Sequence, residues 1–222
     1  MLELLNNDPF FFHKILWTDE SCFTTAGVPN RKNLHYWSIA NPEKYLEIKR
    51  SGRRSLNVWC GLKNNKILGP IFYQNTMTGD SYLRILRDDV EELIDNMPLN
   101  EAVQIVWQQD GAPPHNVAQV RDYLNNKYQR WIGKYGTIIW PPNSPDLALP
   151  DTFLWGHLKN KIYFRRHENV NIIKEEIRAE INNINTNHPD WITNALNKLK
   201  RGYQLCIQMN GGHFQHLAEY SN

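Results

Sequence analysis

Apolar positions alternate with polar ones in the first part of the chain and recur every three or four residues in the rest. In HKILWTDESCFTT (residues 13–25), Ile15, Trp17 and Asp19 would share one face of a strand. Residues 55–62 (SLNVWCGL) and 69–74 (GPIFYQ) are rich in β-branched and aromatic side chains, with residues 63–66 (KNNK) between them as a hairpin loop. Leu83, Leu86, Val90, Leu93 and Met97 then form one helical stripe, capped at Asp80 or Ser81 and stopped by Pro98. Residues 103–110 (VQIVWQQD) are an apolar run of strand length that ends on an acid. Strand, helix, strand is the order of a layered α/β sheet.

Beyond a Gly-Ala-Pro-Pro turn the pattern predicts a helix over 116–127 and a short strand over 137–140. Residues 141–151 (PPNSPDLALPD) hold too many prolines for regular structure. Leu154, Leu158 and Ile162 share a helical face. Two amphipathic helices close the chain. The first carries Val170, Ile173, Ile177, Ile181 and Ile184; the second carries Ile192, Leu196, Leu199, Tyr203 and Ile207 and ends at Gly211-Gly212.

Composition narrows the class. The chain has 222 residues, 41% hydrophobic and 22% charged, which is one large globular domain, or one domain with appendages, rather than a disordered tail or a collagen-like repeat. The net charge of +2 does not by itself announce a nucleic-acid partner. Cys22, Cys60 and Cys206 are scattered, which points away from a disulfide framework and toward a reducing compartment. No membrane-spanning apolar run and no signal-peptide pattern is found, so the expectation is an intracellular α/β or α+β domain with no membrane partner.

The nucleotide-binding glycine motifs, the G-x-S-x-G elbow and the H-E-x-x-H pair are all missing. His213 and His216 lie in a polar terminus without an acidic or cysteine partner and read as solvated. The informative residues are acids at element ends. Asp19 interrupts an apolar strand, Asp110 ends one, and Asp151 opens a helix. Singly, each has an ordinary reading as a turn or cap residue, except that a carboxylate on an apolar strand face is costly when unpaired. Together they converge if the strands of Asp19 and Asp110 are neighbours. Each like-charge pair at about 4 Å then costs on the order of 4 kcal/mol at an effective dielectric of about 20. Such a cluster calls for a cation, and all-oxygen donors select hard ions such as Mg²⁺ or Mn²⁺. Two such ions suit phosphoryl transfer.

The words WTDESCF, VWCGL, QQDGAPPH, WPPNSPDLALPDTFLWGHLKNKIY and NGGH resemble the catalytic domain of mariner-type transposases, over nearly the whole chain. More narrowly, they resemble the insect group of that DDE/D superfamily with a long spacing between the second and third acids. The resemblance implies an RNase H-like mixed sheet flanked by helices, with the C-terminal amphipathic helices packed on it. It implies a catalytic and metal-holding triad of Asp19, Asp110 and Asp151, and cutting and joining of DNA with two Mg²⁺ ions, for which Mn²⁺ can substitute. It also implies double-stranded DNA as partner (transposon ends and target), a homodimer and a nuclear location. The domain plan is a linker over 1–14, a catalytic core over 15–165 and a helical extension over 166–222.

The resemblance leaves several residues open. The family's proline falls one place before Pro150, and Pro150 biases Leu149 away from helical geometry. Asp146 is an alternative third ligand, and Glu20 is a further acid that points to the opposite strand face from Asp19. His115 either orients a ligand, touches the scissile phosphate or bonds locally. Lys49, Arg50, Arg53 and Arg54 read either as a solvated loop or as a phosphate-contacting hairpin, which supplies affinity without sequence choice. Lys198, Lys200 and Arg201 read as one solvated helical face. Trp131, Trp140 and Trp155 are base-stacking candidates, with core packing the stronger reading for Trp140 and Trp155. Such transposases carry a helix-turn-helix pair ahead of the core, and MLELLNNDPF resembles the stretch just before the core. The expectation is therefore a copy that lacks the reader. The competing reading, from another class, is a non-catalytic DNA-binding or dimerisation remnant.

Overall fold

A computed structural model of the protein describes residues 4, 7–25, 54–141, 144 and 147–208. A short helix, α1 (Phe11–Lys14), leads directly into β1 (Ile15–Thr24). Phe11 and Phe12, within the segment read as a linker, are buried in the core. The buried Lys63 caps this helix: its Nζ donates to the carbonyl oxygens of His13 at 3.0 Å and Lys14 at 3.3 Å, where a helix end favours a cation.

Among the described residues the sheet has six strands in the order β3-β2-β1-β4-β5-β6. Strand β2 (Ser55–Lys63) runs antiparallel to β1, and β3 (Lys66–Tyr73) antiparallel to β2, joined by the expected hairpin loop with Asn64 at φ 55°. Strands β4 (Val106–Gln108), β5 (Trp131–Gly133) and β6 (Ile138–Ile139) add in parallel on the other side of β1. Strand β4 is shorter than the run 103–110, and β5 does not show in the apolar pattern at all. Three wholly buried residues are too few to display an alternation. The outer edge of β3 is closed by a side chain: Asn185 Oδ1 accepts from Ile67 N at 2.8 Å and its Nδ2 donates to Ile67 O at 2.9 Å.

Between β3 and β4 lies a rod made of α2 (Gly79–Ile85), a π-helical turn (Leu86–Val90) and α3 (Glu91–Asp95), followed by the short α4 (Leu99–Ala102). Its N-cap is Thr78, not Asp80 or Ser81. Thr78 Oγ1 accepts from Ser81 N at 3.2 Å while Ser81 Oγ accepts from Thr78 N at 2.8 Å, a capping box in which Ser81 is the second partner. A 3₁₀ turn (Pro113–Asn116) precedes α5 (Ala118–Lys127). Residues 141–151 are not wholly irregular, since Pro150 opens a π-helical turn (Pro150–Leu154) that runs into α6 (Trp155–Ile162). Leu149 adopts helical φ −63° and ψ −40° ahead of this proline, held by complete burial against the core. Helices α7 (Val170–Asn187) and α8 (Pro189–Gln208) follow as the apolar spacing predicts, with Asn169 capping α7.

Alternation along β1 divides the core in two. Ile15, Trp17 and Phe23 pack with α6, α7 and α8 through Leu158, Ile177 and Leu196. Leu16 packs on the other face with α2, the π-turn and α5 through Tyr82, Leu86 and Val120, around the stacked rings of Trp59 and Trp107. Helices therefore flank a mixed sheet on both sides. Among the described residues no helix is long and apolar enough to cross a membrane.

Leu158, fully buried between α6 and the sheet, tests this layering. Leu158→Ala is expected to cost about 2–5 kcal/mol. Leu99→Ala, at a 77% exposed position, is expected to change stability by less than about 0.5 kcal/mol. Denaturant unfolding of both variants beside the parent measures the difference.

Candidate active site

Two neighbouring acids on β1 leave the strand on opposite faces. Asp19 points with Trp17 toward α6. There Trp155 Nε1 donates to Asp19 Oδ2 at 2.7 Å, and the π-turn before α6 brings Asp151 near. Burial raises the pKa of Asp19, the negative charges of Asp151 and Glu20 raise it further, and it reaches about 8. The bond from Trp155 opposes this shift without cancelling it.

The second acid follows β4. Trp17 pairs with Gln108, and continuing that parallel register by two residues brings Asp110 level with Asp19. Thr18 locks the register, its Oγ1 donating to Gln108 O at 2.6 Å. Asp110 Oδ1 accepts from Ala112 N at 2.9 Å and lies 2.6 Å from His115 Nδ1. Partial burial works against ionisation of Asp110, but the contact with His115 and its charge, helped by the Ala112 N–H, outweigh it. The pKa falls below the ordinary carboxylate value.

His115 is itself only 3% exposed. Its Nε2 lies 3.2 Å from Glu20 Oε2, so the imidazole bridges two acids from two strands. Burial disfavours its charged form, yet Glu20 and Asp110 prevail and lift its pKa to about 10. The Tyr82 ring lies against it at 4.2 Å between centroids. Gly79 permits this approach of α2: a Cβ there would sit 2.6 Å from Val117 Cγ2. Gln109 completes the support. It donates to His115 O at 3.0 Å and accepts from Tyr82 Oη at 3.0 Å and Trp107 Nε1 at 3.1 Å.

Asp110 and Asp151 line one cleft of about 550 Å³, with Lys134, Ile139, Trp140 and Ser144 among its other walls. The donor chemistry of Asp19, Asp110 and Asp151 fits a hard divalent ion, and a cation would relieve the repulsion between Asp19 and Asp151. Among the described residues, no three His, Cys, Asp or Glu side chains are grouped closely enough to enclose an ion.

The other sequence candidates divide three ways. Lys49, Arg50, Arg53, Asp146, His213 and His216 lie outside the described residues. Arg54 is exposed at the start of β2, where its carbonyl accepts from Thr25 N at 3.1 Å. Trp131 is a correction: it is fully buried in the core with its Nε1 donating to Asn125 Oδ1 at 2.8 Å, and it offers no face to a base. Trp140 and Trp155 are buried as well. Lys198 and Arg201 are exposed on α8 and Lys200 is half-buried. The sequence reading missed Tyr82, Gln109 and Lys134, and the only signal was their nearness in sequence to elements that meet at the acids.

Neither a family model nor a curated protein sequence matches the chain. Solved structures do. The catalytic domain of Mos1 transposase with raltegravir and Mg superposes with a TM-score of 0.71 at 18% identity, covering 96% of this chain and 91% of that one. The catalytic domain of Mos1 mariner transposase gives 0.70 at 18% identity over 96% and 90%. A pre-cleavage Mos1 transpososome gives 0.76 at 19% identity over 96% of this chain, which spans 60% of the longer transposase chain. The fold is therefore RNase H-like, the architecture of the Mos1 catalytic domain.

The charge state of Asp19 predicts a pH dependence without metal. Its folded pKa of about 8 stands above its ordinary value of 3.8, so the folded state binds more protons in that window. The contribution of Asp19 to stability is present below about pH 4 and is lost as pH rises through about 8. Asp19→Asn keeps an acceptor for Trp155 and removes the charge. Its melting temperature is expected to exceed the parent's by a margin that widens from pH 4 to pH 8, read by thermal melts in chelator.

Proposed function

We propose that this chain is the catalytic core of a mariner-like DNA transposase of the long-spacing type, a divalent-metal-dependent endonuclease and strand transferase. The observation that carries the reading is the meeting of Asp19 with Asp151, and of Asp151 with Asp110 across one cleft, on a fold shared with the Mos1 catalytic domain. Asp19, Asp110 and Asp151 are the proposed catalytic and metal-holding residues. Two bound Mg²⁺ ions, or Mn²⁺ in their place, would activate the attacking oxygen and stabilise the leaving oxygen of a phosphodiester.

The chain's own residues supply position and shape. Trp155 fixes one oxygen of Asp19 and fills the space behind it, which keeps water from that side. Asp110 arrives at the end of a parallel strand whose register Thr18 holds. Lys134 stands on the cleft wall as a counter-charge for a polyanion that must approach an acidic floor. Ile139, 66% exposed on the same rim, presents an apolar surface to the sugar or base beside the reacting phosphate. Arg54 lies six residues beyond the level of Asp19 along β1, opposite Thr25, or roughly 20 Å at the usual strand rise. It belongs with Lys49, Arg50 and Arg53 to the proposed phosphate-contacting segment. Double-stranded DNA as transposon end and target, a homodimer and a nuclear location complete the proposal.

Supercoiled plasmid incubated with the protein and Mn²⁺ or Mg²⁺ tests it. The parent is expected to nick the plasmid, and Asp110→Ala to lower the rate by on the order of 100-fold or more. Equal inertness of both proteins, with DNA retardation intact, would establish the non-catalytic remnant instead.

A further inference from the structure

The backbone around Asp110 does little to hold it. Strand β4 ends at Gln108, the Asp110 side chain is half exposed, and nothing lies within 4 Å of where a Cβ on Gly111 would be. A carboxylate in that setting exchanges among staggered rotamers unless its oxygens are claimed. Among the described residues, Asp110 Oδ1 takes the contacts from Ala112 N and His115 Nδ1, and Asp110 lines the cleft. His115 in turn is held on three sides: by Glu20 at its far nitrogen, by the Tyr82 ring against its face, and by Gln109 at its carbonyl oxygen.

We propose that Glu20 and His115 are positioning residues that hold Asp110 in one rotamer, with its carboxylate presented to the cleft. The proposal rests on the reading of Asp110 as an ion ligand. It gives β1 a second task. The strand places Asp19 directly and, through the next residue on its other face, places Asp110 by way of the imidazole. The separation of the two carboxylates is then set by one strand instead of by a Gly-Ala-Pro-Pro turn. Groups that orient a ligand in this manner typically alter metal affinity 10- to 100-fold when removed, by roughly the measure seen in metal sites generally.

The test uses the full 222-residue chain. In metal-free protein, three-bond scalar couplings of Asp110 are expected to report a single χ1 rotamer in the parent and averaging in His115→Gln, which keeps a group near Nε2 but none at Nδ1. His115→Asn, whose amide nitrogen sits where Nδ1 was, is expected to restore the single rotamer. Calorimetric Mn²⁺ affinity should fall about 10-fold in His115→Gln and in Glu20→Gln, and return to within about threefold of the parent in His115→Asn. A merely structural histidine would lower the melting temperature in every His115 variant with no rescue by asparagine. A single rotamer in His115→Gln, or averaging in the parent, overturns the proposal. If the parent and Asp110→Ala bind Mn²⁺ equally or not at all, the ion-ligand reading of Asp110 fails, and the couplings still decide whether the pair positions it.

Discussion

A carboxylate in the middle of a buried central strand is tolerated only where something answers it, and that demand organises one end of this fold. Asp19 is answered by a hydrogen bond from Trp155, and Trp155 is present because α6 packs its apolar stripe on the sheet. The ring of Trp155 meets Phe23 edge-on with 6.4 Å between centroids, so the group that supports the acid is anchored in the core. The same packing sets the π-turn ahead of α6 and delivers Asp151. Hydrophobic burial thus does the work of assembling like charges, which Coulomb forces alone would separate.

The alternation of β1 extends that control to the second acid. Asp19 and Glu20 are consecutive and face apart, one toward α6 and one toward α2. Glu20 meets His115, and His115 meets Asp110. Both layers of helices contribute, since Tyr82 from α2 covers the imidazole while α6 covers Asp19. An insertion or deletion within β1 would exchange the two faces and dismantle both arrangements together.

Much of this was legible from residue order. Helices α6, α7 and α8 show because each buries one face and exposes the other, which writes a period into the chain, whereas β1 and β2, buried on both faces, show as apolar and aromatic runs of strand length. Strands β4 and β6 show only as short apolar runs longer than the strands themselves, and β5, three buried residues, has no room for a period. Trp131 was misjudged for that reason: without its strand it looked like a surface aromatic, whereas it fills the core beside Trp107. The cap at Thr78 was missed because an acid and a serine farther on gave equally good local patterns. The opposite facing of Glu20 was readable, but its partner was not. A contact between residues 20 and 115 depends on which strands are neighbours, and short inner strands conceal that.

The three acids do not bear their charge equally, and this revises the simple sum of repulsions. Asp110 lies below the ordinary carboxylate range because a charged imidazole touches it, whereas Asp19 is pushed up to about 8 by burial and by its acidic neighbours. At neutral pH the three acids therefore do not amount to three full negative charges. One is answered by His115, and another is restrained by its own proton. Full ionisation of three acids about 4 Å apart would cost on the order of 12 kcal/mol, and two different devices lower the charge here. Each device sits on a different face of β1. Environments that drive neighbouring acids in opposite directions are a recurring mark of sites built for chemistry, since they assign separate charge states to chemically identical groups.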